Sequence, residues 1–235
     1  MTDQDRFYSK YESDFFFDRW LKKKQKINKI RPQCKETVKF LSSNINLKNN
    51  SVLEIGCFIG DKLNYLNKKY NCKIFGLEPS LKACKYAKKN YQIYIENNTL
   101  INSSLNNFSS NKGKFDLIIL DDVMNWFDRD HMMHSLALID HLVSNTGYIF
   151  IKDYFPNFTY SNKNHHWPNE DIRSYKYQHG YSSLFTKFGT YSLIYSQITS
   201  KKELLLKGNL KNDHSISEDT ILQKNLINNF PIVVY

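Results

Sequence analysis

The stretch Leu53-Glu54-Ile55-Gly56-Cys57-Phe58-Ile59-Gly60, with Glu78 eighteen positions after its last glycine, decides the reading of this chain. Ser51-Val52-Leu53-Glu54-Ile55 reads as a buried strand, and it stops in Gly56. The glycines let the backbone approach a ligand, and the helix that starts near Asp61 offers unpaired N–H groups. A dinucleotide-binding turn reads G-x-G-x-x-G. Here the spacing is Glu54-x-Gly56-x-x-x-Gly60, with a carboxylate ahead of the first glycine. That carboxylate would repel a pyrophosphate and attract a ligand with a cationic amino-acid group. Glu78 ends the next apolar run, Lys73-Ile74-Phe75-Gly76-Leu77, where a carboxylate can accept from both hydroxyls of a ribose.

Outward from this stretch, strand-like and helix-like segments alternate. Residues 61–70 read as a helix with Leu63 and Leu66 on one face, and Ser80 as the N-cap of another. Ile93-Tyr94-Ile95 predicts a third strand and Phe115-Asp116-Leu117-Ile118-Ile119-Leu120 a fourth. A helix over about 130–143 and a fifth strand, Gly147-Tyr148-Ile149-Phe150-Ile151, follow. Unbroken apolar strands separated by helices argue for a mostly parallel sheet with helices on both faces. Ahead of it, Tyr8, Tyr11, Phe15, Phe16, Trp20, Val38 and Leu41 predict two short helices around the block Lys22-Lys23-Lys24. Behind it, residues 154–180 are rich in aromatics and His and read as irregular. Residues 190–199 predict a strand, a helix is expected near Ile221, and Pro231-Ile232-Val233-Val234-Tyr235 is strand-like. The expected division is an N-terminal helical cap over 1–45 and an α/β domain over 46–235, with an acceptor-side lid at about 154–190.

A hydrophobic fraction of 41% supports a packed core. No apolar run approaches the roughly 18–20 residues of a membrane span, and Met1-Thr2-Asp3-Gln4-Asp5-Arg6 leads into no apolar signal segment. A cytoplasmic location is the expectation. The four cysteines, Cys34, Cys57, Cys72 and Cys84, form no C-x-x-C pair, which predicts packed thiols and no metal. The net charge is +10, yet only five of 33 basic residues are arginines, the side chain that reads phosphate and guanine bidentately. The lysines are spread among asparagines, so a solvated surface is expected and nucleic acid is not the expected partner. An anionic small molecule remains compatible.

The motifs also carry a resemblance. Glu54-Ile55-Gly56-Cys57-Phe58-Ile59-Gly60 resembles motif I of the class I S-adenosylmethionine-dependent methyltransferases, and Gly76-Leu77-Glu78-Pro79-Ser80 resembles their ribose-binding strand end. Phe115 to Asp122 looks like their fourth strand, and Asn145-Thr146-Gly147 with the run that follows looks like their fifth. The resemblance covers about residues 50–153. It implies a Rossmann-like, seven-stranded sheet with an N-terminal helical cap and an irregular C-terminal lid. It also implies S-adenosylmethionine as cofactor and S-adenosylhomocysteine as product. Glu54, Gly56, Cys57 and Gly60 would hold the methionine end, Glu78 and Pro79 the ribose, Thr99 and Leu100 the adenine edge, and Asp121 the sulfonium edge. Phe58 departs from the family, which often has glycine there. A phenylalanine is expected to keep its φ negative and turn its ring away from the cofactor.

The acceptor is read less directly. Asp121-Asp122-Val123-Met124 lacks the Pro-Pro of base-amino methyltransferases; Asp121 and Asp122 could belong to a divalent-metal site of the catechol type, but its companion Asp-Asn pair one strand later is not apparent. The polar residues after the fifth strand suit acid–base work and anion recognition. Asp153, His165 and His166, with Asp121, are the catalytic candidates. Tyr154, Arg173, Tyr175, Lys176 and His179 are the substrate-binding ones. His131, His134 and His141 lie on the predicted helix after strand four and are read as packing or solvent-facing. Asp153-Tyr154, Ser174-Tyr175-Lys176, Leu184-Phe185 and Gly189-x-Tyr191 look like a bacterial methyltransferase subgroup linked to surface-polysaccharide or nucleotide-activated precursor pathways. That implies O-methylation of a small anionic or sugar-type acceptor by a monomer or homodimer. An RNA methyltransferase and a non-catalytic partner subunit with the same fold are the alternatives.

Overall fold

The most apolar segments of the sequence become the centre of the sheet. Val52, Leu53, Ile118, Ile119, Leu120, Ile149 and Phe150 have no measurable exposure. The structure, a computed structural model, describes residues 3–22, 30–108, 113–187, 189–200 and 216–225. The first helices are α1 (Asp3–Phe7), a π-helical turn (Tyr8–Glu12), α2 (Ser13–Lys22) and α3 (Pro32–Asn44). Then come β1 (Ser51–Ile55), α4 (Asp61–Tyr70), β2 (Lys73–Leu77), α5 (Leu81–Asn90), α6 (Ile93–Glu96), β3 (Leu100–Ile101) and β4 (Phe115–Asp121). The remainder is α7 (Met132–Leu142), β5 (Val143–Tyr154), β6 (Tyr160–Lys163), β7 (Arg173–Lys176), α8 (Ser182–Thr186), β8 (Tyr191–Ser200) and β9 (Ile216–Lys224).

Among the described residues, seven strands form one sheet in the order β3-β2-β1-β4-β5-β9-β8, while β6 and β7 form a separate hairpin. This is the Rossmann-like α/β architecture expected from the motifs. Strand β2 runs parallel to β1 and β3. The order reverses beside β1, and in open α/β sheets ligands bind outside the carboxyl ends of strands at such a reversal. Strand β9 runs antiparallel to both neighbours, β5 and β8. The chain divides into two compact units, residues 1–117 and 118–235.

In the first unit the local chemistry explains the elements. Pro32 sits at the start of α3, where its missing N–H costs nothing. Ser80 caps α5 by accepting from Ala83 N at 3.0 Å. The third strand is not where the apolar triplet predicts it. Ile93-Tyr94-Ile95 forms the short helix α6, and the strand is Leu100–Ile101. A helical turn lets Tyr94 be fully buried, with its hydroxyl donating to the Gly60 carbonyl, while Ile95 faces solvent. An alternating strand would have sent both isoleucines to one face.

In the second unit the segment read as irregular contains the β6–β7 hairpin, Tyr160 opposite Lys176 and Lys163 opposite Arg173. The strand expected at 190–199 is β8. The helix expected near Ile221 is instead strand β9, which lies between two strands and has Ile221 and Leu222 sealed. Its polar residues find partners: Glu218 accepts from Ser196 Oγ at 2.6 Å, and Lys152 stands 3.5 Å from Asp219. The terminal run 231–235 and most of the Lys22–Lys24 block lie outside the described residues.

Candidate functional site

The glycine turn after β1 is built from residues that oppose their own intrinsic preferences. Gly56 and Gly60 have φ of 75° and 69°, the left-handed region that glycine enters freely. A side chain on Gly60 would also overlap the Tyr94 hydroxyl. Phe58, expected at negative φ, sits at 53°. That conformation costs a non-glycine residue about 1–2 kcal/mol. The ring offsets it by packing against Phe16 (5.3 Å between centroids), Phe17 (6.0 Å) and Trp20 (5.3 Å) of α2, and such aromatic pairs contribute about 0.5–1.5 kcal/mol each. Arg31 also lies over this ring, 5.0 Å from its centroid. Tertiary packing thus overrides the backbone preference, which the local sequence alone could not reveal.

The turn's bend gives the backbone a specific task. Phe58 N donates to Glu78 Oε2 at 2.7 Å, and Ser80 N donates to Oε1 at 2.7 Å. Glu78 is only 5% exposed at the end of β2. Burial pushes its carboxyl up to about 7; the two backbone donors work against this, and the like charges of Glu54 and Asp14 add to it. Each Glu78 oxygen thus accepts one backbone N–H and keeps a further lone pair. Pro79 is half-buried beside it, and its carbonyl accepts from Asn102 Nδ2 at 2.8 Å.

Glu54 has a different partner from the one the sequence suggested. Lys62 Nζ donates to its Oε1 at 2.8 Å, and both side chains are sealed. The expected ligand cation is therefore matched by a cation of the chain. The pair escaped the sequence reading, although one signal was present: a lysine in the first turn of a helix opposes the helix dipole and calls for an explanation. Nearby, Arg31 binds Asp61 through its backbone N, Nε and Nη2 at 2.7–3.1 Å. Burial works upward on Asp61, but Arg31 outweighs it and holds the carboxyl below its ordinary value. Cys57 is buried, and burial with Glu78 and Glu54 pushes its thiol well up, so it packs as a neutral group.

Thr99 and Leu100 move with the corrected third strand. They lie at its entry, with Leu100 opposite Gly76, instead of just beyond its end. The residues beside Glu78 are those that follow β3. Asn102 Nδ2 donates to the Glu78 carbonyl at 2.9 Å, and Ser103 N donates to it at 3.2 Å.

In the second unit the structure gathers Asp122, Asn125, Asp153 and Lys176. Asp153, near the carboxyl end of β5, accepts from Tyr154 N at 2.8 Å and from Asn125 N and Nδ2 at 3.2 Å. Asn125 Nδ2 also donates to Asp122 at 3.1 Å. Burial, then the neighbouring Asp122 charge, push Asp153 well above the usual carboxylate range. Crowding by the surrounding protein and the adjacent Asp121 raise Asp122 to about 6, although its outer edge is open to solvent. Lys176 is 3% exposed, donates to Ser174 Oγ at 2.7 Å, and lies over the Tyr154 and Tyr160 rings at 4.8 and 5.3 Å. Burial lowers its ammonium, while Asp153 and Asp122 pull it back up.

The other candidates are placed differently. Asp121 ends β4 half-buried, and its charge is felt by Asp122 and Asp219. His165 is exposed, its ring tilted against that of His166 with centroids 3.7 Å apart. His179 is exposed at a φ of 63°. Arg173 pairs with exposed Asp171 at 2.8 Å, and the Tyr175 carbonyl accepts from the Tyr181 hydroxyl. Asn125 is the member of this cluster that the sequence concealed. Nothing in Met124-Asn125-Trp126 marks it until the turn folds it onto Asp153. Among the described residues no group of three His, Cys, Asp or Glu is arranged to hold a metal ion, and no helix is long and apolar enough to cross a membrane.

Comparison with known proteins identifies the fold and the family. The family described as "Methyltransferase domain" matches residues 27–189. No curated protein matches the chain. Among solved structures, a magnesium protoporphyrin IX methyltransferase from Synechocystis PCC 6803, with bound S-adenosylhomocysteine, is 16% identical. The match covers 95% of this chain and 100% of that one, with a TM-score of 0.65. A 1,6-didemethyltoxoflavin-N1-methyltransferase from Burkholderia thailandensis, holding its substrate and S-adenosylhomocysteine, is 12% identical over 94% and 87% of the two chains, with a TM-score of 0.63. Coclaurine N-methyltransferase, bound to N-methylheliamine and S-adenosylhomocysteine, is 14% identical over 80% and 72%, with a TM-score of 0.59. The three share the fold and differ in acceptor. By the match that spans most of its length, this chain belongs to the methyltransferase domain family.

Proposed function

We propose that the protein is an S-adenosylmethionine-dependent O-methyltransferase acting on a small anionic or sugar-type acceptor, such as a nucleotide-activated precursor of a surface polysaccharide. The single observation that carries the acceptor reading is the buried Asp153, held by Asn125 and neighboured by the Lys176 ammonium. The cofactor reading rests on Glu78, a sealed carboxylate whose chemistry fits a ribose diol. When bound, S-adenosylmethionine supplies an electrophilic methyl group. Glu78 binds and orients the ribose, and the glycine turn admits the ligand close to the backbone. Asp153 would take the proton of the acceptor hydroxyl, a transfer favoured by the burial that raises its affinity for a proton. The proton ends on Asp153, and Lys176 offsets the negative charge of the acceptor. In this reading the cap over 1–45 belongs to the cofactor side and the lid at 154–190 to the acceptor side, in a monomer or homodimer of the cytoplasm.

The test is transfer of labelled methyl from S-adenosylmethionine to a panel of nucleotide-activated sugars and small hydroxy acids, with transfer RNA as a parallel arm. Label in a sugar or acid, lost in Asp153→Asn, is the expected result. Label in RNA alone, or cofactor binding with no transfer to any pool, overturns the acceptor reading in favour of an RNA enzyme or a non-catalytic subunit.

A further inference from the structure

Phe58 is the one non-glycine residue of the glycine turn in the left-handed region, and its ring has no contact role in the chemistry proposed above. It is instead gripped from the N-terminal side. Phe17, Trp20, Phe58, Ile59 and Ala83 form one buried cluster, with Tyr86 packed against it. The same helix reaches the second half of the cofactor site. Asp14 accepts from Ser80 Oγ at 2.6 Å and from Lys82 N at 3.1 Å, and Asp18 pairs with Lys82 at 2.5 Å. One helix therefore holds both backbone donors of Glu78, the Phe58 N–H through the ring and the Ser80 N–H through the α5 cap.

We infer that Phe58 is a positioning residue through which α2 holds the glycine turn on Glu78, so that docking of α2 and binding of an adenosyl ligand reinforce each other. The inference rests on the cofactor reading above. Coupling of this kind is reciprocal: if docked α2 tightens the ligand, the ligand must tighten α2 by the same factor. Glycine at position 58 would keep the bend without strain but cut the link to α2.

The experiment uses the full chain and S-adenosylhomocysteine as probe. Calorimetry gives its affinity in Phe58→Gly, Trp20→Ala and the double variant, and hydrogen exchange follows the amides of residues 13–22 with and without ligand. Each single variant is expected to bind about tenfold more weakly, and the double no worse than either, because contacting residues do not add. Ligand should slow exchange in α2 of the wild type and slow it clearly less in Phe58→Gly, where only the Asp14 link to Ser80 remains, a response that a merely structural role would not produce. Phe16→Ala, whose ring is about half exposed, serves if the buried changes unfold the chain. It should weaken binding by roughly two- to threefold, as expected for one partly exposed aromatic contact. Unchanged affinity in these variants, or ligand that leaves α2 exchange untouched in the wild type, overturns the coupling while the cofactor reading stands. A wild type that binds no S-adenosylhomocysteine overturns both.

Discussion

Glu78 can be tested quantitatively by pH. Its carboxyl stands at about 7 in the fold against an ordinary 4.5, so the folded chain holds the proton more tightly than the unfolded one. Stability from this group is therefore fullest below the unfolded value and is lost as pH rises through about 7. The difference is worth about 3 kcal/mol in all, of which about 2–3 kcal/mol falls between pH 5 and pH 8. The other groups felt there are Glu54 and Asp14, and the thiols of Cys57 and Cys84 lie beside Glu78 as well. Comparison with Glu78→Gln isolates the one carboxyl, because the neighbours titrate in both proteins. The melting temperature of the wild type should fall relative to Glu78→Gln by roughly 5–10 °C between pH 5 and 8, for a chain of this size. A ribose diol donates to the charged form, so ligand binding should run the opposite way. S-adenosylhomocysteine should bind the wild type about tenfold more tightly at pH 8 than at pH 6, and Glu78→Gln should show no such rise. The variant should also bind weakly throughout, since its amide NH2 must face one of the backbone donors, Phe58 N or Ser80 N. Calorimetry and thermal melts at pH 5, 6, 7 and 8 read both effects. Parallel pH slopes in the two proteins would refute the reasoning.

Three further outcomes are expected. Gly60→Ala must place a methyl against the Tyr94 hydroxyl at a φ of 69°, and should cost roughly 2–5 kcal/mol in urea unfolding; a variant as stable as the wild type would contradict the packing. Arg31→Met leaves the buried Asp61 without its bidentate partner and should cost about 3–5 kcal/mol at neutral pH. Because Asp61 is held below its ordinary value, the gap between the two proteins should narrow as acid protonates the carboxyl. Asp153→Asn should lower the turnover of an accepted substrate roughly a hundred- to ten-thousand-fold while leaving S-adenosylhomocysteine affinity unchanged; a variant weakened only in cofactor binding would assign Asp153 another role.

Much of the architecture is written in local pattern. The apolar runs at β1, β2, β4 and β5, the glycine turn and the Ser80 cap all depend on neighbours in the chain, so their chemistry can be read in order. Where an apolar stretch was short or isolated, pattern alone could not choose. Ile93-Tyr94-Ile95 and the run around Ile221 were each settled by where a side chain could be buried: Tyr94 beneath Gly60, Ile221 within the sheet. Residues whose roles come from distant partners were the least legible. Lys62 acquires its meaning from Glu54, Arg31 from Asp61 and Asn125 from Asp153, each through a fold that brings separated segments together.

The motif sequence by itself determined the fold class and carried the resemblance to the family, because a strand, a glycine turn and a carboxylate at set spacings depend only on backbone freedom and local charge. Only the tertiary structure decided what those residues do in place. It paired Glu54 with a cation of the chain, left Glu78 as a sealed acceptor, and forced Phe58 into a bend its own backbone disfavours. The reason is physical: burial and long-range packing contribute more than local conformational preference, and neither is visible until the chain has folded.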